Sequence, residues 1–241
     1  MRNCILRYTK GIMKPKNLKS PFTWGDRKPH FEDRVLYVPN YYAQHGNWGR
    51  CNWSDSDLFG NQQPVSIEFC SGNGAWILEK AIACPEKNWI AVEKRFDRAR
   101  KIWAKIKNHQ LSNLIVVCGE AESFIEHYVH EDSLSEVYVN FPDPWPKERH
   151  AKNRIIKQPF ITRLAQVSKT GAIATFATDD PPCSYRMISE MHNNTVWSSF
   201  LSAPFFLNHL PGYGSSYFDE LFRTMGKEIF YMQFINKKTQ L

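Results

Sequence analysis

The sequence predicts an α/β fold in which a mostly parallel sheet is covered by helices on both faces. From about residue 64, short runs rich in β-branched and aromatic residues alternate with amphipathic stretches of helical length. Strands separated by helices form parallel sheets with two covered faces. The chain has 241 residues, 42% of them hydrophobic, which is enough for one sizeable core. We expect this domain to span residues 61–241.

The predicted elements follow one another in strict alternation. Strands are predicted at Val65–Phe69, Trp89–Glu93, Leu114–Cys118, Glu136–Phe141 and Ala172–Ala177, and helices at Ala75–Ala83, Arg95–Lys107, Ala121–Tyr128 and Gln158–Val167. Asp180-Pro181-Pro182 opens a further helix, because aspartate caps helix starts and proline fits the first turn. We expect a last strand near Ile229–Ile235 to lie antiparallel at the end of the sheet.

Residues 1–60 form a predicted basic arm that contains prolines, many aromatic residues and only short pieces of structure. Residues 1–28 hold eight basic residues and one acidic residue, a net charge of +7 that equals the charge of the whole chain. Such clustering favours a polyanionic partner. The alternatives are a solvated tail or an arm that folds over bound RNA or cofactor.

Several classes of protein are disfavoured. No apolar run approaches the ~18 residues of a membrane span, and no secretory signal is visible at the start, so we expect a cytoplasmic protein. The six cysteines are scattered without zinc-site spacing, so we expect free thiols and no metal. The sequence leaves open whether the chain is a monomer or a homodimer.

A small-residue turn follows the first predicted strand of the domain, in the order Glu68-Phe69-Cys70-Ser71-Gly72-Asn73-Gly74. Glycines there let the backbone approach a ligand beyond the carboxyl ends of the strands. A dinucleotide site needs a small third residue, but Ile77 occupies that position, so NAD is disfavoured. The turn instead resembles the first motif of Rossmann-like methyltransferases, with Cys70 in place of its first glycine.

Acidic residues also end or follow the next two strands. Glu93 ends the second strand of the alternating region, where a carboxylate can accept hydrogen bonds from ribose hydroxyls. Glu120 follows the third strand, where methyltransferases commonly keep an acid facing the adenine amino group. An acidic residue at this position also suits the positive end of a helix dipole, and the two roles are compatible.

A proline-rich loop, residues 140–150, follows the fourth strand: Asn140-Phe141-Pro142-Asp143-Pro144-Trp145-Pro146-Lys147-Glu148-Arg149-His150. Its three prolines fix φ and remove hydrogen-bond donors, so the loop is stiff and does not continue the strand. That stiffness suits it to hold Asp143 at a cleft. Trp145 either stacks on a base or packs beneath the loop.

This loop resembles the signature of bacterial tRNA (guanine-N7-)-methyltransferases, together with Lys152-Asn153-Arg154 that follows it. The resemblance covers about residues 64–235 and includes Ala177-Thr178-Asp179 and Ser216-Tyr217-Phe218-Asp219. It implies a Rossmann-like methyltransferase fold, S-adenosyl-L-methionine as cofactor and tRNA as partner. It also implies methyl transfer to N7 of a guanine in the variable loop.

The same resemblance implies roles for individual residues. Asp143 is the candidate catalytic residue and also contacts the cofactor; the other cofactor contacts are Glu68, Gly72, Gly74, Glu93 and Glu120. The implied substrate contacts are Lys147, Asp179, Ser216, Tyr217, Phe218 and Asp219. Lys147, Arg149, Lys152 and Arg154 suit phosphate groups, although Arg154 could instead cap the next helix or pair with Glu148.

Two alternatives stay open from the sequence. Amino-methyltransferases for adenine or cytosine place a related Asn/Asp-Pro-Pro-aromatic loop after the fourth strand. Here Phe141 separates Asn140 from Pro142, and Asp143 separates the two prolines and adds a second acid, which favours the guanine-N7 interpretation. A noncatalytic RNA-binding module of the same fold is the second alternative. The retained acids Glu68, Glu93, Glu120 and Asp143 disfavour that module.

Overall fold

The computed structural model of the chain describes residues 12–40, 42–49, 53 and 56–239. The strands in this part are β1 (His30–Glu32), β2 (Val35–Tyr37), β3 (Val65–Phe69), β4 (Asn88–Glu93), β5 (Leu114–Cys118), β6 (Leu134–Asn140), β7 (Ser168–Thr178), β8 (Trp197–Ser199) and β9 (Phe230–Asn236). The α-helices are α1 (Ser56–Phe59), α2 (Ala75–Ala83), α3 (Phe96–His109), α4 (Ala121–Tyr128), α5 (Gln158–Val167), α6 (Pro181–His192) and α7 (Tyr217–Thr224). Short 3-10 helices cover Pro15–Asn17, His45–Asn47 and Glu148–Asn153.

All the described strands belong to one mixed sheet, in the order β1-β2-β5-β4-β3-β6-β7-β9-β8. The six strands from β2 to β7 run parallel to their neighbours in this order. Strand β9 pairs antiparallel with β7. The predicted α/β fold, with a mostly parallel sheet and an antiparallel last strand, is therefore confirmed. The predicted position of that strand at the end of the sheet is wrong, because the short strand β8 pairs with the outer side of β9 and forms the edge.

Two hydrophobic cores lie on the two faces of the sheet. On one face, α4, α5 and α6 bury side chains such as Phe124, Phe160 and Met187. On the other face, α2 and α3 bury side chains such as Trp76 and Ile102. The strands of the central sheet are covered on both sides, which explains why they read as nearly continuous apolar runs.

Part of the predicted N-terminal arm belongs to the sheet. Strand β2 pairs parallel with β5, and Val35 and Tyr37 are buried in the second core. The Phe22 ring stacks on Tyr37 with ring centroids 3.9 Å apart. The first three basic residues of the arm, Arg2, Arg7 and Lys10, lie outside the described residues. The division of the chain at residue 60 stays a prediction.

Two further elements were not predicted from the sequence, β8 and α7. Strand β8 has three residues, too few for a pattern to be visible. Strand β7 begins at Ser168, four residues before its predicted start, because Lys169, Thr170 and Gly171 interrupt the apolar pattern. In the described residues no helix is long and apolar enough to cross a membrane.

The four described cysteines are free thiols, as predicted. Cys118 and Cys183 are buried, and Cys70 and Cys84 are half-buried. Cys4 and Cys51 lie outside the described residues.

Candidate active site

The carboxyl ends of β3 to β7 lie side by side at one edge of the sheet, because these strands are adjacent and parallel. Each of them carries, near or just beyond its carboxyl end, an acidic residue that the sequence analysis gave as a candidate or implied site residue. These residues are Glu68, Glu93, Glu120, Asp143 and Asp179. The fold thus brings the predicted acids to one edge, which is where open α/β sheets bind ligands.

The turn after β3 takes left-handed backbone conformations at three positions, with φ of 63° at Cys70, 54° at Gly72 and 67° at Gly74. A Cβ atom at Gly74 would lie 2.5 Å from Cγ1 of Ile102 in α3. Glycine is therefore required at position 74 by both its φ and its close contact with α3. Cys70 holds the conformation that glycine adopts more readily, so the turn keeps its shape despite the substitution.

Glu93 holds this turn in place through one carboxylate oxygen and bonds the backbone at the start of α3 through the other. Oε2 accepts a hydrogen bond from the backbone N–H of Gly72 at 3.0 Å, and Oε1 accepts one from Arg95 at 2.8 Å. Burial raises the pKa of Glu93 against the lowering effect of these bonds. Each oxygen has a second lone pair, so the predicted ribose contact is compatible with this role.

Glu68 is buried beneath the same turn, with 2% of its surface exposed. Its Oε1 accepts a hydrogen bond from Nδ2 of Asn140 at 2.8 Å, whereas Oε2 has no hydrogen-bond partner in the described structure. Burial raises the pKa of Glu68 to about 7. A buried carboxylate oxygen without a donor is costly, so this oxygen calls for a donor brought by a ligand.

Glu120 stands exposed at the N-terminus of α4 and makes no capping hydrogen bond to that helix. The residue before it, Gly119, packs tightly against the chain that follows β2: a Cβ atom there would lie 2.6 Å from Cβ of Val38. The carboxylate of Glu120 is thus placed at the edge of the sheet by a fixed backbone and is available to a ligand.

The proline-rich loop leaves β6 abruptly. Phe141 has a φ of 47°, and its backbone N–H donates to the carbonyl of Ala177 at 2.8 Å. Pro142 is buried and Asp143 is exposed. Burial raises the pKa of the Cys70 thiol to about 12, and the charges of Glu93 and then Asp143 add to this rise. The Asp143 carboxylate is therefore close enough to Cys70, in the turn after β3, to act on it.

Two arginines anchor the loop through its carbonyl groups. Arg154 Nε donates to the carbonyl of Trp145 at 3.1 Å, and its Nη2 pairs with Glu148 at 2.8 Å, one of the alternatives weighed from the sequence. Arg186 Nη2 donates to the carbonyl of Pro144 at 2.8 Å. Arg186 lies in α6, far along the chain and outside any motif, so no sequence signal pointed to it.

Trp145 is half-buried and meets the His150 ring edge-on, with ring centroids 5.5 Å apart. It therefore packs in part within the loop and keeps some surface for a ligand. Lys147, Arg149 and Lys152 are exposed on the following segment and form no ion pair within the described part of the chain. Their charges are free to meet phosphates.

The segment around α7 lies against the glycine turn. Phe218 Cε2 would be 3.9 Å from a Cβ atom at Gly72, and the Phe218 and Phe141 ring centroids are 6.0 Å apart. Tyr217 is 57% exposed. The segment thus packs against both the turn after β3 and the first residues of the proline-rich loop.

The polar members of the Ser216–Asp219 motif serve the fold of this segment. Ser216 caps α7 by accepting from the backbone N–H of Asp219 at 3.1 Å. Asp219 is buried, pairs with Arg223 at 2.5 Å and accepts a hydrogen bond from Tyr231. Asp179 pairs with Lys227, which follows α7. Substrate contacts at these positions stay predictions.

Comparisons with known proteins agree with this arrangement. A family model described as "Putative methyltransferase" matches residues 62–231. The chain is 44% identical over 225 residues to the tRNA (guanine-N(7)-)-methyltransferase of Chlamydia caviae, an alignment that covers 93% of this chain and 99% of that protein. It is 34% identical over 154 residues to the protein of the same name from Staphylococcus haemolyticus, covering 64% of this chain and 70% of that protein.

The fold is similar to those of solved methyltransferases. The 16S rRNA methyltransferase KamB aligns with a TM-score of 0.57 and 15% identity, covering 76% of this chain and 92% of that chain. An antibiotic-related methyltransferase aligns with a TM-score of 0.54 and 18% identity, covering 75% of this chain and 92% of that chain. Likenesses at this identity establish the fold alone.

Proposed function

The chain belongs to the family of tRNA (guanine-N(7)-)-methyltransferases, and we propose that its target guanine lies in the variable loop of tRNA and is held by Asp143. The enzyme transfers a methyl group from S-adenosyl-L-methionine to N7 of guanine in tRNA. The observation that supports the assignment of Asp143 is the arginine-anchored, proline-rich loop, which presents this exposed carboxylate beside the glycine turn. We further propose a cytoplasmic location for the enzyme.

The residues at the edge of the sheet fit S-adenosyl-L-methionine. The buried, unpartnered Oε2 of Glu68 suits a cationic group of the ligand, and the left-handed turn at Gly72 and Gly74 leaves backbone free of side chains beside it. Glu93 is assigned to the ribose hydroxyls, and the exposed Glu120 to the adenine amino group. When bound, the cofactor supplies a methyl group on a positively charged sulfonium.

The chemistry of guanine N7 determines which catalytic effects the protein must supply. Guanine N7 has an in-plane lone pair and no proton, so the reaction needs alignment and exclusion of water more than a strong base. Asp143 accepts hydrogen bonds from N1–H and the N2 amino group of the guanine and so fixes its orientation. The same carboxylate stabilises the positive charge that develops on the methylated ring. Orientation, and not proton abstraction, is its proposed role.

The tRNA backbone is assigned to the exposed cations after the loop, Lys147, Arg149 and Lys152, because they have no ion-pair partner in the described structure and flank Asp143. The α7 segment, with the exposed Tyr217 and the half-buried Phe218, forms the opposite wall of the proposed guanine site. Asp179, which directly follows β7, is assigned to the tRNA substrate as well.

The test is to incubate the purified protein with labelled S-adenosyl-L-methionine and unmodified tRNA, digest the product and map the methylated nucleoside. The proposal predicts N7-methylguanosine within the variable loop. N7-methylguanosine at another position would refute the variable-loop assignment. A methylated adenine or cytosine amino group would instead support an amino-methyltransferase, and absence of cofactor binding by calorimetry would support a noncatalytic module.

A further inference from the structure

Tyr213 reaches the candidate active site from the segment between β8 and α7. Its hydroxyl donates to Oδ1 of Asn140 at 2.7 Å, and its backbone carbonyl accepts from Nε1 of Trp76 at 2.8 Å. The side chain is buried, and its ring packs between those of Trp76 and Tyr231, at centroid distances of 5.3 and 4.8 Å. Both ends of the residue are therefore fixed.

The bond from Tyr213 determines which way the Asn140 amide faces. Because the amide oxygen accepts from the Tyr213 hydroxyl, the amide nitrogen is directed to Glu68 and donates to its Oε1 at 2.8 Å. A side-chain amide has chemically opposite ends of nearly equal shape. Without the hydroxyl, rotation of the amide would direct an oxygen, and not an N–H group, at the carboxylate.

The remaining surroundings of Glu68 give its second oxygen no partner. The charged or titratable groups that act on it are Glu93 from β4, Lys105 from α3, the Cys70 thiol and the Tyr213 hydroxyl. Lys105 donates its Nζ hydrogen bond to the carbonyl of Asn73. Asn140 makes the hydrogen bond that orients the Glu68 carboxylate, and the Ser71 side chain acts on it to a smaller extent. Oε2 makes no hydrogen bond in the described structure and is left for the ligand.

We propose that Tyr213 is a positioning residue, which through Asn140 holds the Glu68 carboxylate ready for the cofactor and couples the cofactor site to the RNA-facing α7 segment. This inference rests on the proposed placement of S-adenosyl-L-methionine against Glu68. Tyr213 lies three residues before Ser216, the first residue of the α7 motif. A ligand that orders either site therefore favours the arrangement needed at the other, and linkage makes this effect reciprocal.

The test compares Tyr213→Phe with Tyr138→Phe. Tyr138 belongs to the same aromatic cluster, with its ring 4.6 Å from Trp76, but its hydroxyl donates to Glu136 and not to Asn140. Calorimetry measures the binding of S-adenosylhomocysteine, which cannot donate a methyl group, between pH 6 and 9, with and without saturating tRNA. Thermal unfolding is recorded for each variant.

Tyr213→Phe should weaken binding about tenfold near pH 7, since a hydrogen bond that supports a charged group is lost. The Asn140 bond lowers the pKa of Glu68, so its loss shifts the pH midpoint of binding upward. The enhancement of binding by tRNA should also fall. Tyr138→Phe should match the wild type in all three measurements.

Two results would overturn the inference. One is wild-type affinity, pH midpoint and tRNA enhancement in Tyr213→Phe. The other is lower thermal stability with equally weaker binding at every pH, which indicates a purely structural role. Failure of the proposed function is distinguishable, because the wild-type protein itself would then fail to bind cofactor or to methylate tRNA in the variable loop.

Discussion

Replacement of Gly74 by alanine should damage the enzyme through two separable effects at the cofactor turn. The residue has a φ of 67°, a conformation that costs an L-residue about 1 kcal/mol or more. The new methyl group would also lie 2.5 Å from Cγ1, 3.2 Å from Cδ1 and 3.3 Å from Cβ of Ile102. Ile102 is fully buried in α3 and belongs to the second hydrophobic core.

Both the backbone strain and the contact with Ile102 should lower the stability of Gly74→Ala. Overpacking of a close-packed core typically costs about 1–3 kcal/mol, so Gly74→Ala should lower the free energy of unfolding by roughly 2–4 kcal/mol in total. Gly171→Ala is the matched control, because Gly171 has a φ of 82° and no atom within 4 Å of its added Cβ. That control carries the backbone effect alone, about 1 kcal/mol.

Urea unfolding at equilibrium measures both variants, and calorimetry measures their cofactor affinity. The double variant Gly74→Ala with Ile102→Ala should lose less stability than the sum of the single variants, because Ile102→Ala removes Cγ1 and Cδ1. Equal destabilisation by Gly74→Ala and Gly171→Ala, with additive behaviour in the double variant, would refute the proposed contact between the turn and α3.

Three further predictions concern ionisation, the loop and RNA binding. The pKa of Glu68 is raised from 4.5 to about 7, so its contribution to stability is full below pH 4.5 and is lost as the pH rises through 7. Glu68→Gln should remove this pH dependence of stability and stabilise the cofactor-free protein at pH 8 by on the order of 3 kcal/mol. Urea unfolding across pH measures both effects, and a pH profile equal to that of the wild type would contradict the raised pKa of Glu68. Arg186→Ala removes the hydrogen bond to the Pro144 carbonyl and should lower kcat about tenfold in a methyl-transfer assay. The control is Tyr185→Ala, which changes an exposed neighbouring residue and should leave kcat unchanged. Equal kcat values for the two variants would argue that Arg186 does not anchor the loop. Substitution of Lys147, Arg149 and Lys152 together by alanine should reduce the slope of log tRNA affinity against log salt by about two to three, and an unchanged slope would place the phosphates elsewhere.

Much of the fold could be predicted because the sequence repeats a local pattern. The bounds of β3, β5, α2, α4 and α5 match the predicted ones, since each is an apolar run or amphipathic stretch with clear breaks. Strands β1, β2 and β8 were not predicted, because three-residue strands are defined by their pairing partners and not by their own sequence.

Some residues of the candidate site could be predicted from local sequence patterns and others could not. The acids at the strand ends could be predicted, because alternation of strands and helices places them at one edge. The roles of Arg186 and Tyr213 could not, because their hydrogen bonds join residues 42 and 73 positions apart in the chain. Likewise, the backbone bond from Gly72 to Glu93 joins residues 21 positions apart and follows from the three-dimensional path of the turn.

Single-turnover methyl transfer to unmodified tRNA by Asp143→Ala, at saturating cofactor, tests whether the proline-rich loop presents Asp143 to the target guanine. The rate of N7-methylguanosine formation should fall roughly 100-fold or more, because removal of one preorganised group that aligns and stabilises the reacting base has effects of this size. Unchanged thermal stability is the control, since Asp143 is exposed. A rate within a few-fold of the wild type would show that Asp143 does not hold the target guanine.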